Sequence, residues 1–154
     1  MRAMTKRGYT VEYKIETMAR AYGRDLPLAW KKSVELARQL RGKTVDQARD
    51  YLEGVISLKQ PVPMKKYKRW VAHKSGTGPA RYPVKAAKAF LKILESAVAN
   101  AEFTGKEDPD SMVLKVINAH KGPTTKGFRP RAYGRSSPWN SDTVNLEIVL
   151  EEVV

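Results

Sequence analysis

Nothing in the 154-residue sequence limits the fold more than residues 121–139, KGPTTKGFRPRAYGRSSPW. Gly122, Gly127 and Gly134 alternate with Pro123, Pro130 and Pro138, which excludes a helix. Lys121, Lys126, Arg129, Arg131 and Arg135 lie in it with no acidic residue, and Phe128, Tyr133 and Trp139 are interleaved. Such a segment cannot build a core of its own. Before it runs an apolar, β-like stretch, 112–119, and after it an alternating one, 143–150. Two strands with a long basic connection read as a stretched hairpin over about 112–150, with a basic loop at 120–141. A structureless connection of that length is usually functional or disordered. Ten residues out and ten back give a reach of roughly 30 Å at about 3.3 Å per residue. An arm without a core is expected to be mobile when free and to gain its order on binding.

The charge is sorted in the same way. The net charge is +13. Residues 54–94 carry ten Lys or Arg and residues 111–141 carry six, and neither segment has an Asp or Glu. The remainder is slightly acidic. Both acid-free segments can therefore face a polyanion while the rest stays in solvent, which points to nucleic acid. No cysteine is present, which removes disulfides and thiolate metal sites. The opening residues lack the apolar stretch of a signal peptide, and no run approaches the roughly 18 apolar residues of a membrane span. A cytoplasmic protein is expected.

Taken in order, Val11, Tyr13 and Ile15 alternate with polar residues as in a short strand. Asp25 is placed as an N-cap, with Pro27 in the first turn of the helix that follows. Leu26, Trp30, Val34, Ala37 and Leu40 form its stripe, and Gly42 ends it. Thr44 caps the next helix, with Gln47 at capping-box spacing and Val45, Ala48, Leu52, Val55 and Ile56 inside. Residues 60–78 read as loop, carrying Lys65, Lys66, Lys68, Arg69, His73 and Lys74 around Tyr67 and Trp70. Tyr82 and Pro83 open the longest helix, whose stripe is Val84, Ala87, Leu91, Leu94, Val98 and Ala101, widened by Phe90, Ile93 and Ala97. In the last strand Val144, Leu146, Ile148 and Leu150 face inward and Asn145, Glu147 and Glu151 outward, with Val149 the exception, so one buried face is predicted. The fold class is α+β: three helices packed on a small antiparallel sheet with a long protruding β-hairpin, in a single domain over 1–154.

Motifs for catalysis are weak. Gly42-Lys43-Thr44 resembles the end of a phosphate-binding loop, but the glycine required five residues earlier is Ala37, within a helix. Gly76 and Gly78 lack the third glycine of a dinucleotide fingerprint. His73 and His120 have no second imidazole or carboxylate at metal-ligand spacing and are read as polar contacts to RNA or backbone. Ser136 and Ser137 lack a nucleophile elbow. The carboxylates fall on helix surfaces and strand ends. No enzyme, metal or cofactor is expected. Trp30 and Phe90 belong to helix stripes. Tyr67, Trp70, Phe128, Tyr133 and Trp139 lie among cations, where rings can stack on bases; Trp139 equally fits packing at the hairpin base.

The hairpin also carries a resemblance. Gly122-Pro123, Arg129-Pro130-Arg131-Ala132 and Gly134-Arg135 are similar to the extended hairpin of the L-twenty-two family of large-subunit ribosomal proteins. The helix opened by Gly42-Lys43-Thr44, the run Tyr82-Pro83-Val84-Lys85-Ala86-Ala87-Lys88-Ala89, and Asn100-Ala101 agree in order, covering roughly residues 9–152. Gln60-Pro61-Val62-Pro63, His73-Lys74-Ser75 and the acidic ending resemble the archaeal and eukaryotic branch. Bacterial members continue past the tip with Lys and Arg, where this chain has Trp139-Asn140-Ser141-Asp142, and have a basic residue where Tyr133 stands.

The resemblance implies a structural constituent of the large ribosomal subunit that supports its assembly. The globular part would bind large-subunit (23S-type) rRNA near the peptide exit, and the hairpin would line the tunnel wall. The partners implied are that rRNA, neighbouring large-subunit proteins, among them a hairpin of the fourth, and the nascent peptide; no homo-oligomer is expected. RNA contact is assigned to Lys65, Lys66, Lys68, Arg69, His73, Lys74, Arg81, Lys121, Lys126, Arg129, Arg131 and Arg135, mostly as phosphate neutralisation. Arg131, Ala132, Tyr133, Gly134 and Arg135 would form the tunnel tip. Gly127 and Gly134 are read as points of close approach to RNA. The competing reading is a free basic nucleic-acid-binding regulatory or architectural protein, which needs the same charge pattern.

Overall fold

The computed structural model describes residues 9–12, 14–106 and 108–152. The chain folds as α+β. In order the elements are β1 (Met18–Leu26), α1 (Trp30–Leu40), α2 (Val45–Ile56), β2 (Val62–Pro63), β3 (His73–Lys74), β4 (Gly78–Arg81), α3 (Val84–Phe103), β5 (Val113–Thr125), β6 (Phe128–Pro130), β7 (Ser136–Pro138) and β8 (Ser141–Glu151). The main sheet has the order β1-β8-β5 and is antiparallel throughout. The three helices cover one of its faces. Their core joins Leu36, Leu40, Leu52, Phe90 and Leu94 to Leu114, Ile117, Leu146, Ile148 and Leu150 of the sheet.

The first strand differs from expectation. Residues 9–12 are not in a strand, Tyr13 lies outside the described residues, and the strand starts at Met18. Its sequence, MARAYGRDL, holds few strong β formers. It is a strand because β8 offers a complete ladder and α3 needs small residues beneath it. A Cβ on Gly23 would stand 2.9 Å from Ile93 Cδ1. Asp25 is not a helix cap. It sits at the irregular end of this ladder with φ 50°, and its N–H donates to Asn145 Oδ1 at 2.7 Å. The cap position of α1 is Ala29, with no side-chain cap.

Helix α1 buries Ser33, Glu35, Leu36, Ala37 and Leu40, so its inward stripe is rotated from the expected one and contains a carboxylate. Gly42 follows it at φ 79°, and Thr44 Oγ1 caps α2 by accepting from Gln47 N at 3.4 Å. The turn between α1 and α2 closes the free edge of β5. Gly42 N donates to Leu114 O, and Leu114 N donates to Lys43 O. An open strand edge is thus paired by loop backbone. Residues 60–78 are not simply loop. They supply β2 and β3, which pair on either side of β4 in a second small sheet. Short, Pro- and Gly-bearing strands leave no alternation to read.

Strand β8 is buried on both faces, not one. Glu147 and Val149 are as buried as Leu146 and Ile148. On the second face Met18, Val116 and Val149 form a small cluster against Tyr9 and Val11. The N-terminal segment is what covers the face that looked polar. Beyond the Lys121–Val144 pair burial ceases, but the ladder runs on through Thr125–Ser141 and then β6 with β7. The basic connection is therefore a paired ribbon almost to its tip, where a structureless loop was expected.

Candidate nucleic-acid interface

The assigned residues occupy two places. Lys65, Lys66, Lys68 and Arg69 lie on the loop between β2 and β3, His73 and Lys74 on β3, and Arg81 on the end of β4. Lys121 stands at the root of the arm and Lys126 along it. Arg129 is on β6, and Arg131 and Arg135 flank the tip. The fold does not bring the loop cluster to the tip. About ten residues of ribbon, roughly 30 Å, part the arm's tip from its root.

The loop is docked by a buried acid that the sequence reading missed. Glu35 has no exposed surface. Its Oε1 accepts from Lys66 N and from Tyr67 N, both at 2.6 Å, while Oε2 lies 4.0 Å from Arg38 Nη1. A carboxylate holding two backbone amides is a strong, charge-assisted arrangement. It presents the Lys65, Lys66 and Arg69 side chains outward on a fixed backbone. Tyr67 packs on Trp30 with ring centroids 5.3 Å apart, and the Trp30 indole donates to Ala119 O at 3.2 Å. These two rings lock the loop to α1 and β5. Trp70 is 85% exposed and remains available for stacking.

A second buried acid holds the arm's root. Glu147, 1% exposed, accepts from Thr10 N at 2.7 Å and from Thr10 Oγ1, and lies 3.2 Å from His120 Nε2. Burial pushes its carboxyl up, but hydrogen bonds from Thr10, His120 and Asn118 outweigh that and hold it below the ordinary value of 4.5. His120, half exposed, is thus also a partner of Glu147, a contact not expected from the sequence. Neither acid is on a helix surface or strand end in the sense expected.

Along the arm the side chains are exposed on both faces. The Arg129 guanidinium lies 5.1 Å from the Trp139 ring centroid, and Trp139 N donates to Gly127 O at 2.6 Å. A Cβ on Gly127 would meet Trp139 O at 2.6 Å. Gly127 is required by the partner strand. At the tip Arg135 N donates to Ala132 O, and Tyr133 and Gly134 have φ 59° and 65°. Two successive positive φ values make the tight hairpin turn that matches ribbon twist. Gly134 fits it at no cost, whereas Tyr133 adopts a conformation that side chains rarely take. Tyr133 is 95% exposed, so packing does not hold it there.

The family model for ribosomal protein L22p/L17e matches residues 21–151. The chain belongs to the L22p/L17e family of ribosomal proteins. Members of that family are structural proteins and not enzymes. Among its relatives is the large ribosomal subunit protein uL22 of Haloarcula marismortui, 46% identical over 147 residues and covering 94% of each chain. That of Methanocaldococcus jannaschii is 41% identical over 152 residues, 97% of each. That of Pyrobaculum calidifontis is 42% identical over 149 residues, 94% of this chain and 80% of the relative. These relatives are archaeal, in line with the branch suggested by Pro61-Val62-Pro63 and His73-Lys74-Ser75. Among the described residues, no helix is long and apolar enough to cross a membrane.

Proposed function

We propose that this L22p/L17e-family chain is a structural constituent of the large ribosomal subunit, acting as one RNA-binding unit over residues 1–154. The small-sheet cluster, Lys65, Lys66, Lys68, Arg69, His73, Lys74 and Arg81, contacts large-subunit rRNA at the globular end. Lys121, Lys126, Arg129, Arg131 and Arg135 contact it along the arm. The tip, residues 131–135, lines the peptide exit tunnel, with RNA on one side and the nascent peptide on the other. Neighbouring ribosomal proteins meet it there.

The observation that carries this reading is the arm. It is a two-stranded ribbon with no second layer among the described residues, no acid between residues 111 and 141 and almost every side chain exposed. An isolated two-stranded hairpin is marginal in water. Cations held on such a ribbon are suited to a dense array of phosphates that surrounds it on all sides. A folded RNA provides that array, and its recognition by shape needs no base-reading motif.

The test is binding to large-subunit rRNA as a function of salt, for the whole chain and for a variant lacking residues 127–138. The expected result is preference for that RNA over unrelated RNA, with a steeper salt dependence than the shortened variant. Equal binding to all RNAs by both proteins would overturn the ribosomal reading and favour a free nucleic-acid-binding protein.

A further inference from the structure

Between helix α1 and the root of β5 lies an open groove whose floor includes Val34, Ala37, Ile117 and Ala119 and whose rim carries Arg38, Arg41, Lys66, Asn118 and His120. We propose that this groove is a phosphodiester-binding site, and that a single RNA strand passes through it from the Lys65–Arg69 loop to the arm. The proposal rests on the RNA-binding reading above and names a site outside the residues assigned to it from sequence, Lys66 excepted.

Four features support it. First, its cations come from distant parts of the chain: Arg38 and Arg41 from α1 and Lys66 from the loop. Gathering like charges on one concave surface is unfavourable unless an anion offsets it, and apolar walls concentrate the resulting field. Second, the acids nearest to it do not neutralise it at the surface. Glu35 is fully buried and commits Oε1 to the loop backbone, with Arg38 only at 4.0 Å from Oε2. Glu147 is buried and occupied by Thr10 and His120. Third, Arg41 is held in place before any ligand arrives. Its Nη2 donates to Ile117 O at 3.3 Å and to Asn118 Oδ1 at 2.9 Å. Nη1 and Nε are left for a phosphate, and a guanidinium whose position is already fixed loses little entropy on binding. Fourth, Lys66 belongs to the acid-free segment 54–94 and His120 to the acid-free segment 111–141. The groove is where the two meet at the surface beside α1, so a backbone following the positive surface from one to the other can cross it.

The experiment compares the whole chain with Arg38→Gln/Lys66→Gln, two side chains at the rim. A control, Arg49→Gln/Lys115→Gln, also removes two charges, but ones already neutralised within the chain: Arg49 by Asp46 and Asp110, Lys115 by Glu151. The log of the binding constant for large-subunit rRNA is measured against log salt. The groove pair should shallow the slope by about 0.7 to 0.9 for each phosphate left without its cation, while the control keeps the slope of the unaltered chain. Arg38→Lys/Lys66→Arg, which keeps both charges, should restore most of the slope and guards against a folding defect. An unchanged slope in the groove pair overturns the proposal and leaves the RNA-binding reading standing. The same shallowing in the control pair overturns it too, since the charge is then unspecific. If the unaltered chain fails to prefer large-subunit rRNA, the ribosomal reading falls, and the slope difference between the pairs still decides whether the groove takes phosphate.

Discussion

Two buried acids, Glu35 and Glu147, hold the loop and the arm's root in place from beneath. Glu35 is buried away from solvent, but it fixes the backbone of the loop proposed to contact RNA. Glu35→Ala would leave two amides without their acceptor, at a cost of about 2 to 3 kcal/mol, read by urea unfolding. Tryptic cleavage after Lys65 to Arg69 should accelerate in the same variant, and Glu35→Gln, whose amide oxygen still accepts, should fall between the two. Gly127 gives the converse case, a residue of no chemistry whose absence of a side chain is required. Gly127→Ala drives a Cβ into Trp139 O and costs about 1 to 3 kcal/mol of local pairing. The Trp139 amide should lose protection from hydrogen exchange while amides of α3 keep theirs.

Among elements, the N-terminal segment and the arm are joined through Glu147. Its carboxyl is held below 4.5 in the folded chain, so it contributes stability in full above that value. The contribution is lost as pH falls through the lowered value. The melting temperature of the unaltered chain should exceed that of Glu147→Gln at neutral pH, and the gap should close below about pH 4.5. A gap that stays constant to about pH 3 would mean that the carboxylate is not what holds Thr10. The same element scale explains what could be read from sequence. The helices α2 and α3 and the arms β5 and β8 were legible because their signals are local: a cap, a 3.6-residue stripe, a basic run between two apolar ones. β1 was not, because Ala21 and Gly23 are chosen for what lies above them in α3. The small sheet was hidden by strands of two residues, too short for any period. Glu35 and Glu147 read as surface residues because their partners are backbone or hydroxyl groups at Lys66, Tyr67 and Thr10, far away along the chain. Arg38 and Arg41 were passed over for the related reason that their groove exists only once α1 lies against β5.

For the whole molecule, the arm beyond the Lys121–Val144 pair lies outside the core. Replacing Arg131 and Arg135 together by Ala should weaken binding to large-subunit rRNA and leave the urea midpoint of the globular part unchanged, because neither side chain meets the core. Unfolding of the isolated protein by that change would assign the tip a structural role instead. Removing residues 127–138 should likewise leave the melting temperature within about 2 °C, since among the described residues nothing past the Lys121–Val144 pair is packed against a second layer. The ribbon's lack of a core also makes its length an independent variable. Adding one residue to each strand extends it by about 3.3 Å and disturbs no helix, no buried side chain and no groove, although it turns the tip over to its opposite face. Two residues on each strand restore the face. Reach and facing can therefore be altered in steps without refolding anything, as a ruler can be lengthened without altering the hand that holds it.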